Sequence, residues 1–236
     1  MKMNKTTSLI LFGLIVIIGI VLLATKNSRE GTELTVQQET EEGSNEPIFE
    51  GDELATGTYA IDPQASSLEW NARKKIIPNY VDKGTLGIID GSITIDNEEL
   101  ITEASVAIDV NSLEVTETGV GGGFNGLVRD MLSGRFLDVE TYPTASFIVT
   151  SVESGRGNMF ELTGDLTIKG VTQSVMLPVS VDPMSATVIK ITGDLEIDRT
   201  VYDVTFGSDK FFDDLGDKVI DDMVQLVISL QATLVE

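Results

Sequence analysis

The chain has 236 residues, 38 Asp and Glu against 16 Lys and Arg, a net charge of −22, and neither cysteine nor histidine. It therefore has no disulfide, thiol nucleophile, His-based triad or usual zinc site, which leaves only carboxylate, Lys or Tyr chemistry for an enzyme. The charge argues against nucleic acid as a partner, since no basic surface is present to replace counterions on phosphates.

In chain order, the first feature is a run of uncharged residues from Thr6 to Thr25, bracketed by Lys5 and Lys26. At about 1.5 Å per residue such a helix spans roughly 30 Å, the thickness of a bilayer's hydrocarbon core. The run predicts an N-terminal transmembrane anchor within residues 1–26. A cleaved signal is the alternative, although the stretch ends in Leu22-Leu23-Ala24-Thr25-Lys26 without a small-x-small site. Lys2 and Lys5 before the span nearly balance Lys26 and Arg29 after it, so the positive-inside bias is close to neutral. The span's position at the start of the chain favours export of the C-terminal part.

Residues 27–56 read as an acidic disordered linker. Nine acids from Glu30 to Glu53 face Arg29 alone, and the apolar residues are too few to offset ordering entropy. From Gly57 to Glu236 the texture changes to a single domain whose main signal is period-two alternation. Early strand candidates are Thr58–Asp62, Ser66–Ile77, Thr85–Asp96, Ile101–Val110 and Ala145–Ser154. In a later segment Phe160, Leu162, Gly164, Leu166 and Ile168 alternate with polar neighbours. Val175, Leu177, Val179 and Val181 obey the same rule, as do Ile189 to Ile197, and Val224 to Leu230 within a long strand Met223–Val235. Turn residues separate them at Asp62-Pro63, Asp96-Asn97, Gly155 to Asn158, Lys169-Gly170 and Asp182-Pro183.

One internal segment has helical spacing, with Phe124, Leu127, Val128 and Met131 at i, i+3, i+4 and i+7 and Gly134 as a stop. The preceding Gly121-Gly122-Gly123 lacks the context of a phosphate loop and reads as a flexible lead-in. Eight or nine antiparallel strands must protect their edges, by closing into a barrel or by splitting into a sandwich, and the long strands favour a barrel. The expected fold is all-β: an antiparallel β-barrel of about eight strands with one short helix, preceded by the transmembrane helix.

Several stretches resemble the YceI-like, polyisoprenoid-binding family. They are Tyr59-x-Ile61-Asp62, Ser67-x-x-Trp70 with Lys74, and Arg129-Asp130-Met131-Leu132 through Phe136-x-Asp138-x-Glu140-x-Tyr142-Pro143-x-Ala145-x-Phe147. Leu162 to Thr172, Asp198-Arg199-Thr200-x-Tyr202-Asp203 and Phe211 to Lys218 complete the set. The resemblance implies a lipocalin-like barrel that holds an isoprenoid or other long amphiphile in its lumen, without a further cofactor. It also implies export to the periplasm or cell surface. Many relatives carry histidines after the second strand and near the central helix; this chain has none, so it meets a ligand head group differently or binds a different head.

If the lumen is hollow, its lining is the apolar face: Trp70, Phe147, Phe160, Leu162, Leu166, Leu177, Val179, Ile191, Leu226 and Ile228. Alternation alone does not distinguish this from a packed core. At about 0.8 kcal/mol per buried methylene, roughly fifteen such groups match a nanomolar free energy before association costs. Head-group candidates are Lys74, Arg129 and Asp130, each equally readable as a solvated rim charge. The acids Asp213, Asp214, Asp217, Asp221 and Asp222 lack calcium-loop spacing and read as solvated surface. The leading expectation is a membrane-tethered carrier or reservoir for such a lipid, with a monomeric or dimeric barrel. A structural module with a packed barrel is the alternative, as is an enzyme using Asp130 with Asp138 or Glu140.

Overall fold

The computed structural model describes residues 54–96, 101–119 and 123–235, all within the compact unit Gly43–Glu236. Among these residues the alternating segments form nine antiparallel strands. They are β1 (Gly57–Ile61), β2 (Ser67–Arg73), β3 (Val81–Ile95), β4 (Ile101–Glu117), β5 (Thr144–Ser154), β6 (Met159–Ile168), β7 (Val171–Ser185), β8 (Val188–Asp198) and β9 (Met223–Leu234). One helix, α1 (Phe124–Leu132), joins β4 to β5. The expected anchor and most of the expected linker, together with Gly121 and Gly122, lie outside the described residues. Among the described residues no helix is long and apolar enough to cross a membrane.

Nine strands fill eight positions. β1 and β2 both pair with β3 on one side and β9 on the other, so they are one strand interrupted by the turn at Asp62. The Asp62 carboxylate accepts from Gln64 N and Ala65 N and holds that turn. From β3 through β9 each strand pairs with the next, and β9 returns to β1 and β2. The sheet is thus an eight-position closed barrel, in which every position is paired on both sides over part of its length. The β6–β7 connection shows the local logic. Lys169 and Gly170 both adopt positive φ (51° and 73°), as a two-residue hairpin turn matched to strand twist requires.

Boundaries differ from expectation at four places. β2 stops at Arg73 instead of running to Ile77, and Lys74 keeps only an isolated bridge to Ile220. β3 begins earlier, at Val81. β4 runs on to Glu117, because Ser112 Oγ accepts from Gly87 N at 2.6 Å and donates to Asp109 O at 2.6 Å, patching the ladder across an irregularity. Asp182-Pro183 lies within β7, and the reversal comes at Ala186-Thr187. At the N-terminal edge Leu54 is buried and Ala55 N–H bonds Ala186 O at 2.9 Å, so the barrel takes in the last residues of the expected linker.

The ladder is incomplete in two places. β4 and β5 pair only over Ser105–Asp109 and Thr144–Ile148. β7 and β8 pair only from Val179 and Gly193 toward their shared turn. Pro178 stands where that pairing stops; it has no N–H to offer a neighbour, so a ladder gap costs nothing there. The β7–β8 gap and the run of β4 beyond Asp109 fall at the end of the barrel that carries α1, the β2–β3 loop and the long β8–β9 segment; at the opposite end β4 before Ser105 and β5 beyond Ile148 also lack each other.

Candidate ligand-binding lumen

Inward residues of all eight barrel positions surround an apolar cavity of about 90 Å³, from Leu68 and Ile93 round to Leu230. Toward the end that carries α1 lies a second cavity of about 440 Å³, within the size range of small-molecule sites. Leu68, Ile108, Leu166 and Leu226 line both and mark the waist between them. The larger cavity reaches the surface beside the exposed Arg73, Asp130 and Lys218.

Two aromatic rings that could have filled this space lie close against glycine backbone instead. A Cβ on Gly84 would stand 2.6 Å from the Trp70 ring, and one on Gly164 2.5 Å from the Phe147 ring. Trp70 faces Gly84 in the β2–β3 register. Without side chains at these two positions the rings sit against the barrel wall and the lumen stays open.

The expected lining residues divide between the cavities. Phe147, Leu162, Leu166, Leu177, Val179, Ile191, Leu226 and Ile228 line the smaller one; Trp70, Leu166 and Leu226 line the larger. Phe160 is buried in the main core cluster and lines neither cavity. Of the head-group candidates, Lys74 and Asp130 line the larger cavity. Lys74 Nζ sits 4.7 Å from the Tyr80 ring centroid, a placement that offsets part of its desolvation. Arg129 points to solvent from α1, 3.8 Å from Asp130, and does not line the lumen. Asp138 and Glu140, weighed as carboxylate partners for Asp130, line neither cavity.

Residues outside the expected lining set complete the larger cavity. α1 contributes Leu127 and Met131, the segment after it Phe136 and Leu137, and the β8–β9 segment Tyr202, Val204 and Phe206. Phe206 lies 5.1 Å from Phe136, with the Arg135 guanidinium 4.8 Å from its ring. Asp82 also lines this cavity. Burial pushes its carboxyl above the usual range, partly offset by hydrogen bonds from Gly119 N and Tyr80.

Arg199 organises the β8–β9 segment. The residue is 6% exposed, and its guanidinium donates to the carbonyls of Asp221, Val204, Phe206 and Ile220. Asp222 lies 3.5 Å away, and Lys210 reaches both Asp222 (3.1 Å) and Asp198 (2.8 Å). Asp222 is 7% exposed, so it does not belong with the solvated acids of its cluster; a buried charge here is tolerated because it is paired. The nearest sequence signal was the Asp198-Arg199-Thr200 motif, in which Asp198 caps the short 3-10 turn by accepting from Thr200 N at 2.9 Å. Among the described residues three buried side-chain atoms have no hydrogen-bond partner: Trp70 Nε1, Tyr202 Oη and Asp222 Oδ1.

A closed eight-position antiparallel barrel around an apolar lumen, mouthed by one helix and a folded-back segment, is the class of fold these residues build. The chain belongs to the YceI-like domain family, which it matches over residues 59–232. It is similar to Protein YceI of Escherichia coli O6:H1, 29% identical over 130 residues, or 55% of this chain and 64% of that protein. The match thus spans just under two thirds of that relative's length. A UPF0312 protein of Pseudomonas putida W619 is 32% identical over 137 residues, covering 52% of this chain and 67% of that one. Among solved structures, Burkholderia cenocepacia BcnA is similar with a TM-score of 0.57 at 24% identity, over 73% of this chain and 99% of that one. A polyisoprenoid binding domain from Saccharophagus degradans, implicated in plant cell wall breakdown, is similar with a TM-score of 0.56 at 19% identity, over 77% and 100%. At these identities the two structures share the fold.

Proposed function

We propose that this domain holds a long-chain amphiphile, an isoprenoid or similar lipid, in its lumen as a carrier or reservoir of the cell envelope. The observation that carries this reading is the pair of adjoining cavities, about 440 and 90 Å³, which meet at an apolar waist inside the barrel. Burying a tail there is favourable at about 0.8 kcal/mol per methylene, and an apolar slot asks nothing else of it. The binding domain of Saccharophagus degradans supports the ligand class. The reading includes tethering through the apolar run Thr6 to Thr25, with the barrel exported. Catalysis is not part of this reading.

Mass spectrometry of organic extracts from the purified full-length chain tests the function. A stoichiometric long-chain species is expected, and a lipid-free chain that takes up none when offered it refutes the carrier. Retention in membranes after alkaline carbonate washing tests the tether, and N-terminal sequencing near Lys26 reveals cleavage.

A further inference from the structure

With 38 acidic residues against 16 basic ones in the chain, a cation that finds no carboxylate is the exception. Among the described residues Lys75, Lys83, Lys169 and Lys210 each have such a partner, whereas Lys74, Lys190 and Lys218 have none. Lys190 is exposed on β8 and lines neither cavity. Lys74 and Lys218 both line the larger cavity, and the fold brings them to one spot. Lys74 stands opposite Ile220 in the isolated bridge beyond β2. Val219 is extended (φ −62°, ψ 120°), so Lys218 and Ile220 share a face, and Ile220 lines the same cavity.

The Lys74 ammonium is half-buried over the Tyr80 ring. It has no hydrogen-bond partner, yet the enclosed atoms in that condition are those of Trp70, Tyr202 and Asp222, so Lys74 Nζ keeps accessible surface for a donor bond. The other charges lining this cavity are Arg73, Arg199, Asp82 and Asp130. Arg199 is committed to four carbonyls. Asp82 accepts from Gly119 N and Tyr80, and Asp130 lies beside Arg129. Lys74 and Lys218, with Arg73 at the rim, are the donors left open, and negative oxygens brought there would gain charge-assisted bonds. We infer that Lys74 and Lys218 form a subsite for an anionic head group, a carboxylate or a phosphate, on the amphiphile whose tail fills the lumen. This rests on the carrier reading of the same lumen.

The full chain, stripped of co-purifying lipid and kept in a non-ionic amphipol, is loaded with the neutral dye phenylnaphthylamine. The dye is then displaced by octadecanoate, octadecyl phosphate or octadecanol at mildly alkaline pH. The variants are Lys74→Met, which keeps an apolar stem over Tyr80, Lys218→Gln at the exposed rim, and Lys190→Gln as a control for net charge. Lys74→Met is expected to weaken at least one anion about three- to tenfold, the factor for one partly exposed charge-assisted bond, and to leave octadecanol unchanged. Lys218→Gln is expected to act in the same sense by a smaller factor, and Lys190→Gln to change nothing. The anion that responds more strongly names the head, carboxylate or phosphate. Equal weakening of anions and alcohol, no weakening in either mouth variant, or an equal loss in Lys190→Gln overturns the subsite while lumen binding stands. Failure of all three probes to displace the dye overturns the carrier reading and the subsite with it.

Discussion

The two halves of the lumen are made from the same strands yet are closed by different means. Around the small cavity β7 and β8 pair from Val179 and Gly193 to their turn, and the inward side chains that meet there carry no ionisable group. Around the large cavity β7 before Val179 and β4 beyond Asp109 lack one neighbour. There α1, the segment after it and the Arg199-held loop form the walls. Around the small cavity β4 before Ser105 and β5 beyond Ile148 also lack each other, but every lining residue there comes from a strand and the inward side chains nearly fill the space. Around the large cavity a helix and loops set the spacing and room remains. The polar groups that loops bring also make this half wetter and more sensitive to pH.

The largest expected effect is at the waist. Leu166→Asp should cost about 4 kcal/mol in urea unfolding, since an unpaired carboxylate would lose its water where the halves meet. A near-neutral result would mean that water already fills the waist, and would dissolve the distinction. Next comes the loop wall. Arg199→Met should cost about 3 kcal/mol by stranding Asp222 and four carbonyls. Hydrogen exchange should rise first in residues 199–222 and leave the β7–β8 pairs near their turn protected; uniform loss would show that the halves are not separate.

A pair of tryptophan insertions measures the difference in packing directly. Leu177→Trp, in the small cavity, should overpack and cost about 1–3 kcal/mol. Leu86→Trp, in the large one, should cost less than about 1 kcal/mol while displacing bound lipid, with thermal melts and lipid extracts as readouts. Equal costs would abolish the contrast.

The smallest effect is that of acid pH, and it should fall on the half with the large cavity. Burial tends to raise the Asp198 carboxyl, but hydrogen bonds from Lys210 and Thr200 outweigh it and hold it below the usual range. Its contribution is therefore present above the unfolded carboxylate pKa and lost as pH falls through its lower folded value. Asp82, raised by burial, has the opposite sign: the cost of its charge is present above its folded pKa and disappears below the unfolded one. Asp198→Asn should flatten the acid limb of the stability curve, and Asp82→Asn should stabilise slightly near neutrality. Reversed signs in pH-dependent melts would refute this account.

The strands, their inward faces and the helix were legible in the sequence, because period two and period 3.6 arise from backbone geometry and need no neighbour. Phe160 shows the limit. Its phase was read correctly, but phase does not say whether an inward side chain meets a cavity or another side chain. Arg129 shows another, since its place on the central helix made it a head-group candidate without deciding which way it points.

What the sequence determined by itself was an antiparallel β domain with an apolar interior, and the absence of thiol and imidazole chemistry. Only the tertiary structure decided that β1 and β2 share one barrel position, that Ser112 carries β4 past its irregularity, and that Trp70 stands between Gly84 and Leu226 in register. These depend on register between strands far apart in the chain. Side-chain period marks which face is buried but does not say which residue stands opposite.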